Sequence, residues 1–261
     1  MRNEGGDGME FVIVLVMGGL GVIFGSFFNV VGLRVPKKQS LVAPPSHCPN
    51  CMRTLSAIDL IPVVSYTLLR GKCRTCGVRI SPMYAGIELA TGVLFAYATW
   101  QIGVTWELFV ALLFISLLMI ITVSDISYML IPDKVLLFFL PLLMIGRVLS
   151  PLTPWWDSVL GAAFGFLLLL LIAVLSKGGM GGGDIKLFFL IGLVLGTLYT
   201  ILTLFLAAVL GILFGGALLL IRKQGRKTPI PFGPAIVVAA LLVYLYGEQV
   251  IALYVKLLFA M

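Results

Sequence analysis

Four cysteines are the residues of this chain whose spacing most directly predicts chemistry. Cys48 and Cys51 form one C-x-x-C pair, Cys73 and Cys76 form another, and 21 residues separate the pairs. Each pair brings two thiolates within reach of one ion, so the two pairs together predict a tetrahedral zinc site. With four protein ligands, this site would be structural rather than catalytic. Two disulfides or a thioredoxin-like redox pair are the alternative, which a reducing cytoplasm and the lack of a surrounding βαβ pattern disfavour.

The cysteines lie in a polar, basic segment, residues 35–83, which is too short to build a hydrophobic core of its own. Arg53, Lys72 and Arg74 adjoin the cysteines and are expected to favour thiolates over thiols. The segment therefore predicts a small soluble module that a metal ion holds together.

Four carboxylates border the apolar runs of the chain: Asp125, Asp133, Asp184 and Glu88. A carboxylate near the centre of a bilayer is costly, so it usually marks function. Two facing aspartates share a proton, because like charges close together resist joint ionisation. The ionised one can then deprotonate water while the protonated one polarises a scissile carbonyl. The alternative for each aspartate is a helix cap or a solvated boundary charge, favoured for Asp133, and Glu88 is expected to be a hydrogen-bonding partner within the bundle.

A glycine-rich stretch, GGMGGGDIKL, precedes and includes Asp184. Gly181, Gly182 and Gly183 lead directly into the aspartate, and without Cβ atoms they would let a peptide backbone approach the carboxylate. An extended peptide is what a protease must bind. A flexible linker or a close helix-packing surface is the alternative interpretation.

The elements that must position these residues are apolar helices. The 261-residue chain is 61% hydrophobic and 11% charged, with a mean hydropathy of +1.14, which predicts an all-α polytopic membrane protein. The apolar runs are Phe11–Leu33, Tyr84–Trp100, Leu108–Val123, Val135–Leu149, Ser158–Leu175, Leu187–Ile221 and Pro234–Leu257. The run Leu187–Ile221 is too long for one crossing, and a break at Gly196–Thr200 gives about eight transmembrane helices in all.

The distribution of Lys and Arg predicts the orientation of these helices. With the N-terminus outside, 15 of the 18 basic residues fall in cytoplasmic loops. The four carboxylates then lie at cytoplasmic helix ends, where they could line one shallow cavity. The net charge of +7 is thus explained by topology rather than by binding of nucleic acid. On this orientation the outer interface holds all four tryptophans, which are Trp100, Trp106, Trp155 and Trp156.

Motifs along most of the chain resemble the type IV prepilin peptidases, leader peptidases with N-methyltransferase activity. They occur in the family's order: GSFFNVVGLRVP at Gly25–Pro36, CPNC and GKCRTC, ISPMYAGIELATG, DISYMLIPD, GGMGGGDIKL, and PFGPA at Pro231–Ala235. The resemblance implies an intramembrane aspartic protease of the glycine-x-glycine-aspartate type, with Asp125 and Asp184 as its catalytic aspartates.

The resemblance also implies a substrate and a location. Such enzymes remove a short, basic leader from prepilins and pseudopilins at the cytoplasmic face of the bacterial inner membrane. Members with both cysteine pairs typically go on to methylate the new N-terminus with S-adenosylmethionine. The chain then divides into residues 1–34, an extracytoplasmic tail and first transmembrane helix, residues 35–83, the zinc-binding loop module, and residues 84–261, a seven-helix peptidase core.

The residues for methyl transfer are not identified by any pattern, because the loop carries no Rossmann-type glycine signature. Glu88, Asn29, Arg34 and Lys186 are polar positions within the family-like motifs and are candidates for binding substrate or cofactor. Bundle packing and helix-end solvation are the alternative for all four.

Two other classes of function stay open at the level of sequence. A cation-coupled transporter would also place carboxylates among membrane helices, but it is disfavoured because these carboxylates sit at one face and no pair of interrupted helices repeats. A zinc-stapled scaffold for pilus or secretion assembly would make the aspartates merely structural.

Overall fold

The computed structural model describes residues 4–176, 180–222 and 232–259. These ranges are almost entirely helical and contain no strand beyond two isolated bridges, which confirms the all-α prediction. The helices are α1 Glu4–Arg34, α2 Val64–Leu68, α3 Pro82–Ile102, α4 Trp106–Tyr128, α5 Asp133–Leu149, α6 Asp157–Leu175, α7 Gly182–Leu195, α8 Thr197–Arg222 and α9 Gly233–Phe259.

Five of the described helices are long and apolar enough to cross a membrane. Their spans are Gly8–Arg34, Trp106–Tyr128, Asp157–Leu175, Thr197–Phe214 and Gly233–Ala252. Helix α7 has only 14 residues, or about 21 Å at 1.5 Å per residue, against a hydrocarbon core of about 30 Å. The protein is therefore a multi-pass membrane protein, and the count of eight crossings stays a prediction.

The chain forms two compact units that divide within α4. Unit 1 is Met1–Val123 and unit 2 is Ser124–Met261. Unit 1 holds the segment between α1 and α3, residues 35–81, which carries all four cysteines and is called the cysteine module below. Unit 2 holds Asp125 and Asp184.

Unit 1 is built on the close packing of α1 against α3. A Cβ atom on Gly25 would lie 2.7 Å from the Cα atom of Glu88, and one on Gly21 would lie 2.8 Å from the carbonyl oxygen of Thr91. Small residues at these positions let the two backbones approach, as in many membrane helix pairs. The packing holds the end of α1 beside the start of α3.

Helix α7 is the centre of unit 2. Nine of its 14 residues are buried, which is expected of a helix that is apolar on all sides. It ends at Gly196, whose positive φ of 79° suits glycine, so the break predicted at Gly196–Thr200 is confirmed. Arg147 donates a hydrogen bond of 2.6 Å to the carbonyl oxygen of Val194, and Asp157 accepts one from the amide of Thr197. These contacts hold the end of α7 opposite to the one that carries Asp184.

Candidate active site and cysteine cluster

The two predicted catalytic aspartates lie on different helices of unit 2. Asp125 stands in the last turns of α4 and is 6% exposed, whereas Asp184 stands in the first turn of α7 and is half-buried. Helix α4 continues past the apolar run that ends at Val123 and stops only before Met129, which has a positive φ of 51°. Asp125 is thus part of the helix instead of following it.

The carboxylates of Asp125 and Asp184 form what we call the aspartate pair. They lie near enough for the charge of Asp125 to act on Asp184. Neither aspartate has an ion pair with a cation in the described part of the chain. Two carboxyl groups that interact in this way can share a proton, in which case one is able to act as a base and the other as an acid.

Asp125 also receives a hydrogen bond that the sequence did not predict. The backbone amide of Gly233, at the start of α9, donates to Oδ2 of Asp125 at 2.8 Å. A Cβ atom on residue 233 would lie only 2.6 Å from that oxygen, so this approach requires glycine. Gly233 belongs to the family-like motif PFGPA, and this motif is the feature of the sequence that could have pointed to Gly233 as a functional residue. Pro231 of the same motif lies outside the described residues.

The three glycines that precede Asp184 differ in what surrounds them. A Cβ atom on Gly183 would lie 2.7 Å from the Cβ atom of Ile131, so this glycine serves packing against the connection between α4 and α5. Gly182 faces open space, and Gly181 lies beside the Asp184 carboxylate. Of the three glycines only Gly182 faces open space, and Gly183 takes the packing role of the alternative interpretation; room for a peptide backbone stays a prediction. Gly178 and Gly179 lie outside the described residues.

Asp133 and Lys186 bind each other at the surface of unit 2. The Nζ atom of Lys186 lies 2.8 Å from both carboxylate oxygens of Asp133, and the two side chains are 52% and 58% exposed. An exposed pair of this kind contributes little to stability. The arrangement agrees with the expectation that Asp133 is a boundary charge, and it engages Lys186, which lies two residues after Asp184.

The four cysteines of unit 1 meet as predicted and are positioned to hold a metal ion. Their sulfur atoms all lie within 4.8 Å of one another, and none forms a disulfide. The Cys48–Cys76 and Cys51–Cys73 sulfur distances are 3.7 and 4.0 Å. A tetrahedral ion with metal–sulfur bonds of about 2.3 Å would place its ligands about 3.8 Å apart, so the spacing fits.

The two loops that carry the cysteine pairs have the same backbone conformation. In each, the amide of the first cysteine donates to the carbonyl five residues later, and its own carbonyl accepts from the amide four residues later. The bonds are Cys48–Arg53 and Met52–Cys48 in one loop, and Cys73–Val78 and Gly77–Cys73 in the other, at 2.9 to 3.0 Å. Such loops direct amides at sulfur. Hydrogen bonds from the Val78 amide and the Asn50 side chain lower the pKa of Cys76 to about 6, which favours its thiolate. Despite a hydrogen bond from the Arg53 amide, desolvation and the neighbouring sulfurs raise the pKa of Cys51 to about 11.

A single carboxylate links the two loops. Asp59, whose side chain is 5% exposed, pairs with Arg53 of the first loop and, at 2.9 Å, with Nε of Arg74 of the second. Ser56 donates to it from both its backbone amide and its hydroxyl. We call this group the Asp59 cluster. Arg53 and Arg74 were expected to stabilise thiolates, and that stays a prediction; both also pair with the single carboxylate of Asp59, an interaction that spacing along the chain does not reveal.

Three of the four candidate positions for cofactor or substrate line one cavity in unit 1. Asn29 and Arg34 come from the end of α1, and Glu88 comes from α3. The cavity has a volume of about 450 Å³ and is completed by residues of the cysteine module. Glu88 also accepts a hydrogen bond of 2.7 Å from the Val63 amide, so it is a bonding partner, although this partner lies in the cysteine module and not in the bundle as expected. Lys186 lies in unit 2 and is engaged by Asp133.

Comparison with known proteins places these sites in two recognised regions. The bacterial peptidase A24 N-terminal domain matches residues 20–102, and the type IV leader peptidase family matches residues 112–216. The prepilin leader peptidase/N-methyltransferase of Bacillus subtilis is 48% identical over 237 residues, covering 91% of this chain and 96% of that protein. Its namesake from Pseudomonas aeruginosa is 34% identical over 276 residues, covering 95% and 94%. No solved structure gives a significant match.

Proposed function

The chain belongs to the type IV prepilin leader peptidase/N-methyltransferase family, and on that premise we propose that Asp125 and Asp184 together cleave the leader from type IV prepilins or pseudopilins. Family membership makes the protein an enzyme and a bacterial membrane protein, and it does not favour the transporter. The observation that carries the proposal is the placement of two carboxylates at the ends of α4 and α7 in one unit, where the charge of Asp125 acts on Asp184 and neither carboxylate has a cation partner among the described residues.

The reaction follows from the chemistry of two carboxyl groups that share one proton. The ionised aspartate takes a proton from water, whose oxygen attacks the carbonyl carbon of the scissile peptide. The protonated aspartate donates to the carbonyl oxygen, and the departing nitrogen takes up a proton as the C–N bond breaks. Gly233 fixes the orientation of Asp125 through its amide, and Gly181 and Gly182 leave room for the substrate backbone beside Asp184.

We further propose that the enzyme methylates the amine that cleavage exposes. The amine nitrogen attacks the methyl carbon of S-adenosylmethionine, the carbon–sulfur bond breaks to leave a neutral thioether, and the amine loses a proton. The support is the N-methyltransferase activity in the names of the relatives together with the polar cavity of unit 1.

The ion proposed for the cysteine cluster is a structural Zn²⁺. Four thiolates at tetrahedral spacing are the ligand set that zinc prefers, and they leave no position open for a substrate. The metal would staple residues 35–83, which lack a hydrophobic core of their own.

The proposed topology places the N-terminus outside the inner membrane and the cysteine module in the cytoplasm, with eight crossings and the three predicted domains 1–34, 35–83 and 84–261. The support is the concentration of Lys and Arg in the loops assigned to the inside. A basic leader is the proposed substrate segment, and nucleic acid is not a proposed partner.

A synthetic prepilin incubated with the purified protein and S-adenosylmethionine tests both activities. The mass of the products should show one cleavage between leader and mature sequence and one methyl group on the mature fragment. An uncut prepilin would contradict the peptidase proposal. Cleavage without methylation would contradict only the second activity.

A further inference from the structure

We propose that the cavity of unit 1 is the binding site for the methyl donor, S-adenosylmethionine. The identity of this ligand rests on the methyl transfer proposed above, while the site rests on the structure. The cavity is formed by the end of α1, the start of α3 and the cysteine module. Its volume of about 450 Å³ falls within the range of about 300 to 1,000 Å³ that is usual for small-molecule sites.

One wall of the cavity carries a buried acceptor that has no partner. Asn29 is 3% exposed and donates from Nδ2 to the carbonyl oxygen of Tyr84 at 3.1 Å, which fixes the orientation of its amide. Its Oδ1 atom is buried and accepts no hydrogen bond. A buried acceptor in this condition is costly, so a ligand that donates a hydrogen bond is expected here.

A second acceptor lines the same cavity. Glu88 is 8% exposed, and the Val63 amide is bound to its Oε2 atom. No cation forms an ion pair with Glu88 within the described ranges. A carboxylate buried without a cation favours a positively charged ligand group, and S-adenosylmethionine carries both an ammonium and a sulfonium.

The remaining charges of the cavity suit the other end of this donor. Arg34 and Arg79 line it in addition to Arg53 and Arg74, which Asp59 holds. Arg34 donates only to the neutral carbonyls of Ser40 and Leu41, so its charge stays available for the donor's carboxylate. Lining tyrosines, Tyr66 and Tyr84, offer apolar surface for the purine.

Both signs of charge line the cavity. Its four arginines stand with the carboxylates of Asp59 and Glu88 and with the thiolates proposed for Cys48 and Cys73. A compact zwitterion with one cationic and one anionic end matches such a wall.

Equilibrium binding of S-adenosylmethionine and of S-adenosylhomocysteine to the full-length protein in detergent tests the assignment. Glu88→Gln keeps the size of the side chain and an acceptor for the Val63 amide but removes the charge. We expect it to raise the Kd of S-adenosylmethionine at least about tenfold, and Asn29→Ala to act in the same direction. Glu10→Gln, an exposed position on α1 outside the cavity, is the matched control and should leave the Kd unchanged. Unchanged affinity in both cavity variants would overturn the proposal.

Ultraviolet cross-linking of labelled S-adenosylmethionine to the wild-type protein gives a second readout that does not depend on a variant folding. The label should map to peptides from residues 26–34, the cysteine module or residues 81–88. Label confined to unit 2, or no binding at all, would contradict the site.

The Asp184→Asn variant separates this proposal from the peptidase. It should fail to cleave a prepilin yet bind S-adenosylmethionine with the wild-type Kd. Normal cleavage by that variant would contradict the peptidase mechanism and leave the cavity assignment unaffected. Cleavage by the wild type without binding of the donor would contradict the cavity assignment and leave the peptidase mechanism unaffected.

Discussion

The two units of this enzyme use buried aspartates in opposite ways. In unit 1, Asp59 is surrounded by two arginines and two donors from Ser56, so its charge is fully matched. In unit 2, Asp125 accepts a hydrogen bond from one backbone amide, and its charge acts on a second carboxylate, that of Asp184. A carboxylate whose charge is balanced by cations stabilises the structure. Two neighbouring carboxylates without a cation partner can instead share one proton and exchange it. The partners of each carboxylate, rather than its burial or residue type, therefore distinguish Asp59 from Asp125, for which we propose a catalytic role.

The largest expected effect comes from removing the metal ligands. Metal analysis should find roughly one zinc per wild-type chain and none in a Cys48→Ser, Cys73→Ser double variant, which should also destabilise the module because a structural zinc would supply most of its folding free energy. Methyl transfer should be lost, and cleavage should suffer less because unit 2 carries both aspartates. Equal loss of both activities would break the functional division between the units.

A backbone change beside Asp125 is expected to have the next largest effect. Gly233→Ala brings a Cβ atom to 2.6 Å from the carboxylate oxygen, so Asp125 must move. Cleavage in membranes should fall about tenfold to a hundredfold. Gly19→Ala, where nothing lies within 4 Å, is the control for a glycine change in a membrane helix. Wild-type cleavage by Gly233→Ala would show that this contact does not position the aspartate.

Asp59→Asn tests the matched carboxylate. It should lower the free energy of unfolding of the cysteine module by about 1 to 2 kcal/mol, a modest value because Arg53 and Arg74 are 29% and 49% exposed. The Ser56 hydrogen bonds, with help from Arg74 and Arg53, lower the pKa of Asp59 to about 2. Its stabilisation is therefore complete above about pH 4 and is lost as the pH falls through about 2.

Denaturation of wild type and Asp59→Asn at several pH values checks this. The difference between them should narrow as the medium is acidified from about pH 4 toward pH 2. Asp133→Asn, which alters the exposed pair with Lys186, should change stability by less than about 0.5 kcal/mol. A difference that is constant with pH would mean that Asp59 is not held by charge.

Two further changes test whether the two cysteine loops are equivalent. Gly77 and Met52 occupy equivalent positions with φ of 69° and 56°. Gly77→Ala should destabilise its loop by about 1 to 2 kcal/mol, since an L-residue is disfavoured there. Met52→Gly should change stability by less than about 1 kcal/mol, because relieved strain offsets added chain entropy. The chelator concentration that removes half the metal reports both, and a large loss with Met52→Gly would refute the equivalence of the loops.

The sequence predicted the elements of this fold where one chain segment carries the signal. The break at Gly196, the meeting of the four cysteines and the presence of Asp125 and Asp184 in one unit follow from hydropathy, spacing and motif order. The boundaries were less accurate, because α4 and α7 extend into polar or glycine-rich residues beyond the apolar runs.

What the sequence did not predict depends on contacts between distant residues. Gly233 meets Asp125 across 108 positions, and Gly183 packs on Ile131 instead of facing a substrate. Asp59 looks like an ordinary solvated charge in a polar loop, because its two arginine partners lie 6 and 15 residues away along the chain, one in each cysteine loop. A pattern within one segment of the sequence does not show which residues of distant segments will come into contact.

The central claim is that the unmatched pair in unit 2 is catalytic, and a cleavage assay on three isosteric variants tests it most directly. Membranes that contain Asp125→Asn or Asp184→Asn should each cleave a prepilin at least about a hundredfold more slowly than wild type, because each change removes the acid–base function. Asp133→Asn, the matched control from the same unit, should retain most of the wild-type rate. Normal cleavage by either of the first two variants would contradict the account.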